Sequence, residues 1–514
     1  MNAATLAMAG LCVCSTVTYA QPGTPLWTNR YNGPGNGNDV ATAIAVDSHG
    51  YVYVAGSSTG SGGSYDYATI KYSSGGEALW TNRYNGLAND NAATALAVDG
   101  SGNVYVTGES FFGTVVTSDY ATVAYSSDGV GLWTNRYIGP GNGPDSPLAL
   151  AVDSGGNLFV TGYSATTNAY PFNYDYLTIK YSSGGLALWT NRYNGPGNGD
   201  DAAFALAVDG SGSVAVAGYS YGTNGYPDYA TIKYSRGGVP LWTNRYNASG
   251  NGAAYANALA LDNSGNVYLA GPAWNGSSVD YATIAYSSAG VALWTNRYDG
   301  PGNDTDLATA IAVDSSGNVY VAGSSTGSGS SYDYATIKYS NAGVAMWTNR
   351  YDGPGNFVDR VYAIALDNSG NAYVTGQSVG SDSSYDYATI AYSSAGVALW
   401  TNRYNGPGNS EDYGNAIAVD SSGNVYVTGG SASINSVPYN YDYATIKYSG
   451  PGLSPIPLKY QIVSEEIVLS WTNAAFDLQS APAVLGAYTN IPGATSPYTN
   501  VISSNQQYFR LRGY

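Results

Sequence analysis

The sequence predicts an all-β protein made of eight copies of one four-stranded unit. A W-T-N-R-Y segment recurs about every 53 residues, three strand-like runs follow each copy, and no run has a sustained helical period. Four short strands per unit, repeated in series, are typical of an eight-bladed β-propeller with four-stranded blades. The tryptophans of the eight segments are Trp27, Trp80, Trp133, Trp189, Trp242, Trp294, Trp347 and Trp400.

The three runs between successive W-T-N-R-Y segments are interpreted as strands. In one unit they are Ala308 to Asp314, Gly317 to Gly323 and Tyr332 to Ser340. They are short, rich in Val, Ile, Thr and Tyr, and bounded by Gly, Asn, Ser or Pro, as expected of strands that end in tight turns. The 67 glycines, the 51 tyrosines and the low charged fraction of 10% agree with this interpretation.

The order of the strands predicts how the ring closes. The chain begins with a lone W-T-N-R-Y strand, Leu26 to Tyr31, and the repeats end on a strand of the third type, Tyr441 to Ser449. If W-T-N-R-Y is the outermost strand, the N-terminal copy completes the last blade by backbone hydrogen bonds. Residues 21–449 are therefore predicted to form the propeller.

The hairpin between the third and the outermost strand gives a predicted register. A two-residue turn at Ser74 and Gly75 places Asp66 opposite Arg83 and puts the aromatic residues on the other face. Because this Asp and this Arg recur in every unit, we interpret them as cross-strand salt bridges that fix geometry. The residues assigned this structural role are Asp66, Arg83, Asp119, Arg136, Trp80 and Trp133.

Residues 1–20 are predicted to be a secretory signal peptide. Ala4 to Val17 is apolar and small, and Thr18 to Ala20 fits a cleavage site, although the usual positively charged start is missing. Cys12 and Cys14 both lie in this segment, so the mature chain would have no disulfide, reactive thiol or cysteine metal site. We expect a secreted or bacterial cell-surface protein, and no other segment is apolar enough for a membrane helix.

Net charge limits the possible partners. The formal charge is −17, and nucleic-acid binding rests on Lys and Arg that neutralise phosphates, so no nucleic-acid partner is expected. We expect the chain to be a monomer that binds a protein or a polysaccharide.

The repeated residues resemble a known family. The A-I-A-V-D strand, the D-S-S-G-N-V-Y-V turn and strand, the D-Y-A-T-I-K-Y strand and the G-V-A-L-W ending are similar to SBBP repeats, over about residues 26–449. The resemblance implies an exported bacterial repeat scaffold and no agreed reaction or ligand. The family is described as seven-bladed, whereas this sequence offers eight units.

The segment 454–514 departs from the repeat. Strand-like runs at Lys459 to Val463, Ile467 to Trp471 and Tyr508 to Leu511 predict a small β-sandwich-like module. It resembles C-terminal modules of exported proteins from environmental bacteria, which implies an accessory or a surface-retention role.

Carboxylates offer the main candidates for chemistry. Six units carry an Asp eight positions before the Asp that ends the first strand, and these six could gather at one channel mouth to hold a cation such as calcium. Pairing with the repeated arginines is the alternative. The six residues are Asp39, Asp145, Asp201, Asp306, Asp359 and Asp412. The strand-end Asp itself, as in Asp47, is interpreted as a turn residue that accepts backbone N–H groups.

Catalysis finds little support in the sequence. The only histidine, His49, stands in a turn where other units have Ser or Gly, and no nucleophile elbow or phosphate-binding loop is present. No cofactor is therefore expected, apart from calcium. A carbohydrate-active enzyme that uses carboxylates remains an alternative. So does a quinoprotein-like dehydrogenase, because those proteins are also eight-bladed with a tryptophan in each blade.

The loops predict where a partner would bind. Loops between second and third strands vary most, and they share one face with the loops that lead from outer to inner strands. Aromatic and amide side chains in such loops suit sugar rings or protein surfaces. The candidate binding residues are Phe111, Phe112, Tyr163, Tyr170, Phe172, Tyr219, Tyr221, Tyr226, Trp274 and Tyr439. A non-enzymatic binding scaffold is the favoured function.

Overall fold

The fold was obtained as a computed structural model of the 514-residue chain. It describes residues 21–86, 90–111, 117–167, 170–249, 252–329, 331–433 and 440–450, and then 459–463, 466–470, 476–481, 489–491, 494–495, 497–501 and 508–513. The predicted signal peptide lies outside these ranges. The chain divides into two compact units, Pro22–Gly450 and a second one that contains Pro451–Tyr514. Within the described ranges, no helix has the length and apolar character needed to cross a membrane.

Eight four-stranded antiparallel sheets form the first unit, which is an eight-bladed β-propeller as predicted. The first strand of each blade lies innermost, against the first strands of the neighbouring blades. The inner strands are β2 (Asp39–Val46), β6 (Asn91–Val98), β10 (Asp145–Val152), β14 (Asp201–Val208), β18 (Ala258–Leu261), β22 (Asp306–Val313), β26 (Asp359–Leu366) and β30 (Asp412–Val419).

The second and third strands carry most of the core. Their Val, Ile, Ala and Tyr side chains are buried on both faces, because each blade packs between two others. The second strands are β3 (Val52–Thr59), β7 (Val104–Phe111), β11 (Leu158–Ala165), β15 (Val214–Tyr221), β19 (Val267–Trp274), β23 (Val319–Thr326), β27 (Ala372–Val379) and β31 (Val425–Ala432). The third strands are β4 (Tyr65–Tyr72), β8 (Ser118–Tyr125), β12 (Tyr174–Tyr181), β16 (Pro227–Tyr234), β20 (Val279–Tyr286), β24 (Tyr332–Tyr339), β28 (Tyr385–Tyr392) and β32 (Tyr441–Tyr448).

The W-T-N-R-Y segments form the outermost strands. The N-terminal copy pairs with β32, so it completes the eighth blade and closes the ring, as the sequence predicts. We number the blades so that blade 1 contains β2, and blade 8 combines β30 to β32 with β1. The outer strands are β1 (Pro25–Tyr31), β5 (Ala78–Tyr84), β9 (Gly131–Tyr137), β13 (Ala187–Tyr193), β17 (Pro240–Tyr246), β21 (Ala292–Tyr298), β25 (Ala345–Tyr351) and β29 (Ala398–Tyr404).

The predicted register of the outer hairpin was wrong by two residues. Arg83 lies opposite Ala68, not opposite Asp66. One extra residue comes from the turn, where Gly76 adopts a φ of 91° and its N–H bonds to Ser73. A bulge in the outer strand adds the second. Because the shift is even, every side chain keeps its predicted face of the sheet.

Side chains of the outer strand join each blade to the next. Asn82 donates its side-chain N–H to the carbonyl of Gly129 at 2.7 Å, and Trp80 donates its indole N–H to the carbonyl of Ser127 at 3.1 Å. Both acceptors lie in the turn before the outer strand of the following blade. The Asn bond occurs in all eight blades. The conserved spacing of Trp and Asn within the segment therefore serves blade packing.

The second unit contains six described strands. They form two three-stranded antiparallel sheets, one of β33, β34 and β37 and one of β36, β35 and β38. Their bounds are β33 (Lys459–Val463), β34 (Glu466–Ser470), β35 (Phe476–Ala481), β36 (Thr489–Asn490), β37 (Tyr498–Val501) and β38 (Tyr508–Gly513). The all-β prediction for this segment agrees with these strands, and its packing as a sandwich stays a prediction.

Candidate functional site

The propeller has two unlike faces. On one, here called the uniform face, the turns are short and alike, as at Asp47, whose carboxylate accepts the N–H groups of His49 and Tyr51 at 2.9 and 3.0 Å. This is the turn role predicted for Asp47. The other, here called the variable face, carries the loops between second and third strands and those that lead into the next inner strand. Candidate binding residues belong to the variable face.

The Asp–Arg pairs hold each blade to the one before it. The Arg83 guanidinium lies 2.7 Å from the Asp66 carboxylate and also donates to Ser58 and to the Tyr31 hydroxyl of the preceding blade. Asp66 lies diagonally from Arg83 because of the register shift, and the long guanidinium spans that distance. Equivalent pairs occur in all eight blades, Asp119 with Arg136 among them.

The six inner-strand aspartates bind loop backbone in the structure. Asp39 is fully buried and accepts the N–H groups of Gly33 and Thr59 at 2.6 and 2.9 Å. It thus fastens the loop from the outer strand to the end of the second strand. Burial raises the pKa of all six carboxyls, and it raises that of Asp145 and of Asp412 to about 6.

The cation site predicted from these six aspartates stays a prediction. All six are fully buried, and for four of them the charge of the third-strand Asp of the preceding blade adds to the raised pKa: Asp39, Asp145, Asp201 and Asp412. Among the described residues, three carboxylates approach one another within 4.8 Å in two places, around Asp306 and around Asp359. The sequence does not show that the carboxylate of Asp39 accepts backbone N–H groups of the loops around it.

Five of the predicted binding residues come together in blades 3 and 4. With three further aromatics they form two groups of neighbouring rings, one in blade 3 and one in blades 4 and 5, and we call the two groups together the aromatic arc. The ring centroids of Tyr163 and Tyr174 are 4.9 Å apart, those of Tyr219 and Tyr255 are 5.2 Å apart, and both pairs meet edge to face. The arc consists of Tyr163, Tyr170, Phe172, Tyr174, Phe204, Tyr219, Tyr221 and Tyr255.

Carboxylates lie beside the arc. Asp200 accepts the backbone N–H of Tyr174 at 3.2 Å, and Glu109 of blade 2 lies close enough to Tyr163 to act on its pKa. Burial is the main cause of the raised pKa of Tyr163, Tyr174 and Tyr219, and neighbouring carboxylates and tyrosines add to it. The arc therefore combines apolar ring surface with hydroxyl groups and hydrogen-bond acceptors.

The other predicted binding residues have no ring contact with the arc among the described residues. Trp274 is partly buried, packs against a hydrophobic core of blades 4 and 5 and lies close to Gly252. Its role in binding stays a prediction. Tyr226 is 46% exposed on a loop of blade 4, and Phe111 ends β7. Phe112 and Tyr439 lie outside the described residues.

Sequence reasoning missed Phe204 and Tyr255. Both belong to the inner-strand part of the repeat, at positions that vary between units and that are also aromatic in Tyr362 and Tyr413. Variation at these inner positions was the available signal, because the predicted binding residues were confined to the variable loops.

Three segments of the chain match the family profile described as SBBP, beta-propeller repeat: residues 27–63, 294–329 and 400–434. The chain contains SBBP repeats. The matched segments cover the start of three of the eight blades, and each includes a W-T-N-R-Y strand and the inner strand that follows it.

Several solved structures are similar to this chain. Sqt1 from Chaetomium thermophilum is 10% identical with a TM-score of 0.50, over 84% of this chain and 100% of that one. PorZ, a bacterial surface component of the type-IX secretion system of Porphyromonas gingivalis, is 13% identical with a TM-score of 0.44, over 90% of this chain and 59% of that one. Polysaccharide lyase Uly1 is 11% identical with a TM-score of 0.40, over 80% and 90%. No curated protein matches the chain.

Proposed function

We propose that the SBBP propeller is a secreted or cell-surface scaffold that binds a protein or polysaccharide partner on its variable face and catalyses no reaction. The observation that carries the proposal is the aromatic arc, which interrupts the eightfold repeat in blades 3 to 5. A rigid scaffold with variable loops commonly places its binding residues in this way.

The repeated residues argue for the scaffold part of the proposal. Asp66, Arg83, Trp80 and Asn82 all bond to protein groups, within their own blade or to a neighbour. Residues that make the same hydrogen bonds and ion pairs in every blade cannot single out one binding site for a partner. Recognition is therefore assigned to the blades in which the repeat departs from its pattern. The eight tryptophans, which motivated the quinoprotein-like alternative, belong to this repeated set.

A carbohydrate-active enzyme is the second candidate. Glu109 and Asp200 both act on the pKa of Tyr174 from positions beside the arc, and glycoside hydrolysis uses a pair of carboxyl groups. Under the main proposal these carboxylates accept hydrogen bonds from the partner. Under the second one they exchange protons with it.

One experiment separates the two candidates. The chain from residue 21 to 514 is incubated with a panel of polysaccharides, and both retention of the protein and release of reducing or unsaturated ends are measured. Retention of a polysaccharide or of a protein partner without product release supports the scaffold. Product release that Glu109→Gln or Asp200→Asn abolishes overturns it in favour of the enzyme. The oligomeric state, proposed to be monomeric, is measured on the same sample by light scattering.

A further inference from the structure

We infer that the aromatic arc binds an uncharged polysaccharide chain, an inference that rests on the proposed binding function and names its ligand. The binding site would extend from blade 3 to blade 5, across the side chains of Tyr163, Tyr174, Tyr219 and Tyr255. Tyr163, Tyr219 and Tyr255 stand at positions that vary between units, whereas the position of Tyr174 is also Tyr in four other units, as Tyr65, Tyr332, Tyr385 and Tyr441.

The arrangement of the rings is the first argument. Tyr170 meets Phe172 at 6.3 Å, Phe172 meets Tyr174 at 6.2 Å, and Tyr174 meets Tyr163 at 4.9 Å, between ring centroids. In blade 4, Tyr219 meets Phe204 at 5.5 Å, and the presence of Tyr163 contributes to the raised pKa of Tyr219. The strands of blades 3 and 4 contact one another, so the two groups of rings lie on adjacent blades, and together they make an elongated surface suited to a chain-like ligand.

The chemistry of the surface is the second argument. Tyr163, Tyr174, Tyr219 and Tyr255 are only partly buried, while Tyr170 is 88% exposed. Such rings offer an apolar surface to the C–H faces of a sugar, and their hydroxyl groups exchange hydrogen bonds with sugar hydroxyls. Asp200 and Glu109 supply acceptors beside them. A surface that alternates ring faces with acceptors matches a ligand in which every residue carries both C–H faces and hydroxyl donors.

The negative charge of the chain favours an uncharged polymer as the ligand. The principal groups that act on the pKa values of Tyr163, Tyr174 and Tyr219 are carboxylates, tyrosines and Ser146, with no Lys or Arg among them. The chain as a whole has a net charge of −17. A polyuronate or sulfated glycan would be repelled on approach by this net charge.

A protein partner is the less favoured occupant of the arc. Protein interfaces are enriched in arginine and methionine as well as aromatics, and they bury aliphatic side chains at their centre. In the described part of the chain, the large aliphatic side chains with high exposure lie mostly at the outer strands, as at Leu241, 53% exposed, and Leu188, 48% exposed. They are not part of the arc.

The test measures binding of the chain from residue 21 to 514 to soluble xylan, laminarin and mannan, with alginate as the anionic counterpart, by affinity gel electrophoresis. We expect at least one uncharged polysaccharide to retard the protein and alginate not to do so. Tyr219→Ala and Tyr163→Ala should each weaken retardation at least tenfold. Tyr219→Phe, which keeps the ring and its packing, should stay within about threefold of the parent.

The matched control is Tyr413→Ala. Tyr413 lies on the inner strand of blade 8, meets Tyr441 at 5.2 Å on the same face, and is outside the arc. Unchanged binding in Tyr413→Ala, with loss in Tyr219→Ala, supports the inference. Three outcomes overturn the inference. They are a preference for alginate, retardation that survives both Tyr219→Ala and Tyr163→Ala, and no retardation by any of the uncharged polymers. If instead a protein partner is lost with Tyr219→Ala, the inference fails while the proposed binding function stands.

Discussion

Gly23 donates its backbone N–H to the carbonyl of Ser449 at 2.9 Å, and this bond stands where a continuous hairpin turn stands in the other blades. In blade 1 the same bond joins Gly76 to Ser73 within one turn. Gly23 has a φ of 80°, close to the 91° of Gly76, and its carbonyl accepts the N–H of Asn402 from blade 7. The first and last residues of the propeller therefore rebuild a turn across a break in the backbone.

Gly23→Ala should destabilise the propeller by at least about 1 to 2 kcal/mol, because an L side chain is strained at this φ. An added Cβ would also lie 2.7 Å from the ring of Trp400. The melting temperature measures the effect. Gly62→Ala is the control, since a Cβ there meets nothing within 4 Å and the φ is not left-handed. Equal melting temperatures for the two variants would show that the rebuilt turn does not contribute to stability.

Trp400→Phe should cost less stability than Trp80→Phe, by about 1 kcal/mol. The indole N–H of Trp80 bonds to Ser127, whereas the buried indole N–H of Trp400 has no acceptor among the described residues, because the turn it faces is the broken one. Both substitutions remove similar ring area, so their difference isolates the hydrogen bond. Denaturant midpoints of the two variants measure it. A larger loss for Trp400→Phe would contradict this account.

Arg83→Met should cost about 3 kcal/mol, because it leaves the nearly buried Asp66 carboxylate without its countercharge. The double variant Asp66→Asn with Arg83→Met should recover part of that loss. The measurement is a double-mutant cycle on the free energy of unfolding. Strictly additive losses would mean that the two groups do not interact.

Stability should fall as the pH rises from about 4 to about 6. Asp145 and Asp412 have pKa values near 6 in the folded protein, above the value of 3.8 for a free carboxyl, so the folded state holds more protons in this window. Each carboxyl should contribute about 1 to 3 kcal/mol at low pH, which is lost as it ionises. Asp145→Asn with Asp412→Asn should flatten the profile of melting temperature against pH. Blade 2 already carries Asn91 at this place. An unchanged profile in the double variant would assign the pH dependence to other groups.

Asp299→Asn should stabilise the protein in the presence of a chelator. Asp299 lies within 4.8 Å of the carboxylate oxygens of Asp280 and Asp306, and the charge of Asp280 raises its pKa after burial does. The gain should be below about 1 kcal/mol, because Asp299 is exposed and its repulsion is screened. Five of the other units carry Asn at this place, so the change follows the repeat. If added calcium instead makes the parent more stable than the variant, these three carboxylates hold a cation.

The strands and the closure of the ring could be predicted from the sequence because they depend on local composition and on the order of the units. The register of the outer hairpin could not be predicted. A two-residue turn and a longer turn followed by a bulge would both contain Gly75 and Gly76. Gly76 and the bulge before Trp80 each add one residue, and their sum keeps the alternation of faces.

The site was predicted in part for a similar reason. Tyr163 and Tyr219 follow from sequence variation between units, whereas the contact of Tyr219 with Tyr255 depends on how neighbouring blades meet in space. For Asp39 the sequence cannot show that its carboxylate accepts the N–H groups of Gly33 and Thr59.

The bonds from Trp80 and Asn82 all run in one direction around the ring, from one blade to the turn of the next. Each unit therefore brings its joint with it, and at the junction formed by Gly23 and Ser449 the bond from Asn402 is kept while that from Trp400 is missing among the described residues. A gene that gained or lost one unit of about 53 residues would encode a chain whose blades still meet through the same contacts. Blade number in such a chain is open to change by duplication, while the arc, which belongs to three adjacent blades, would survive only if those three stay together.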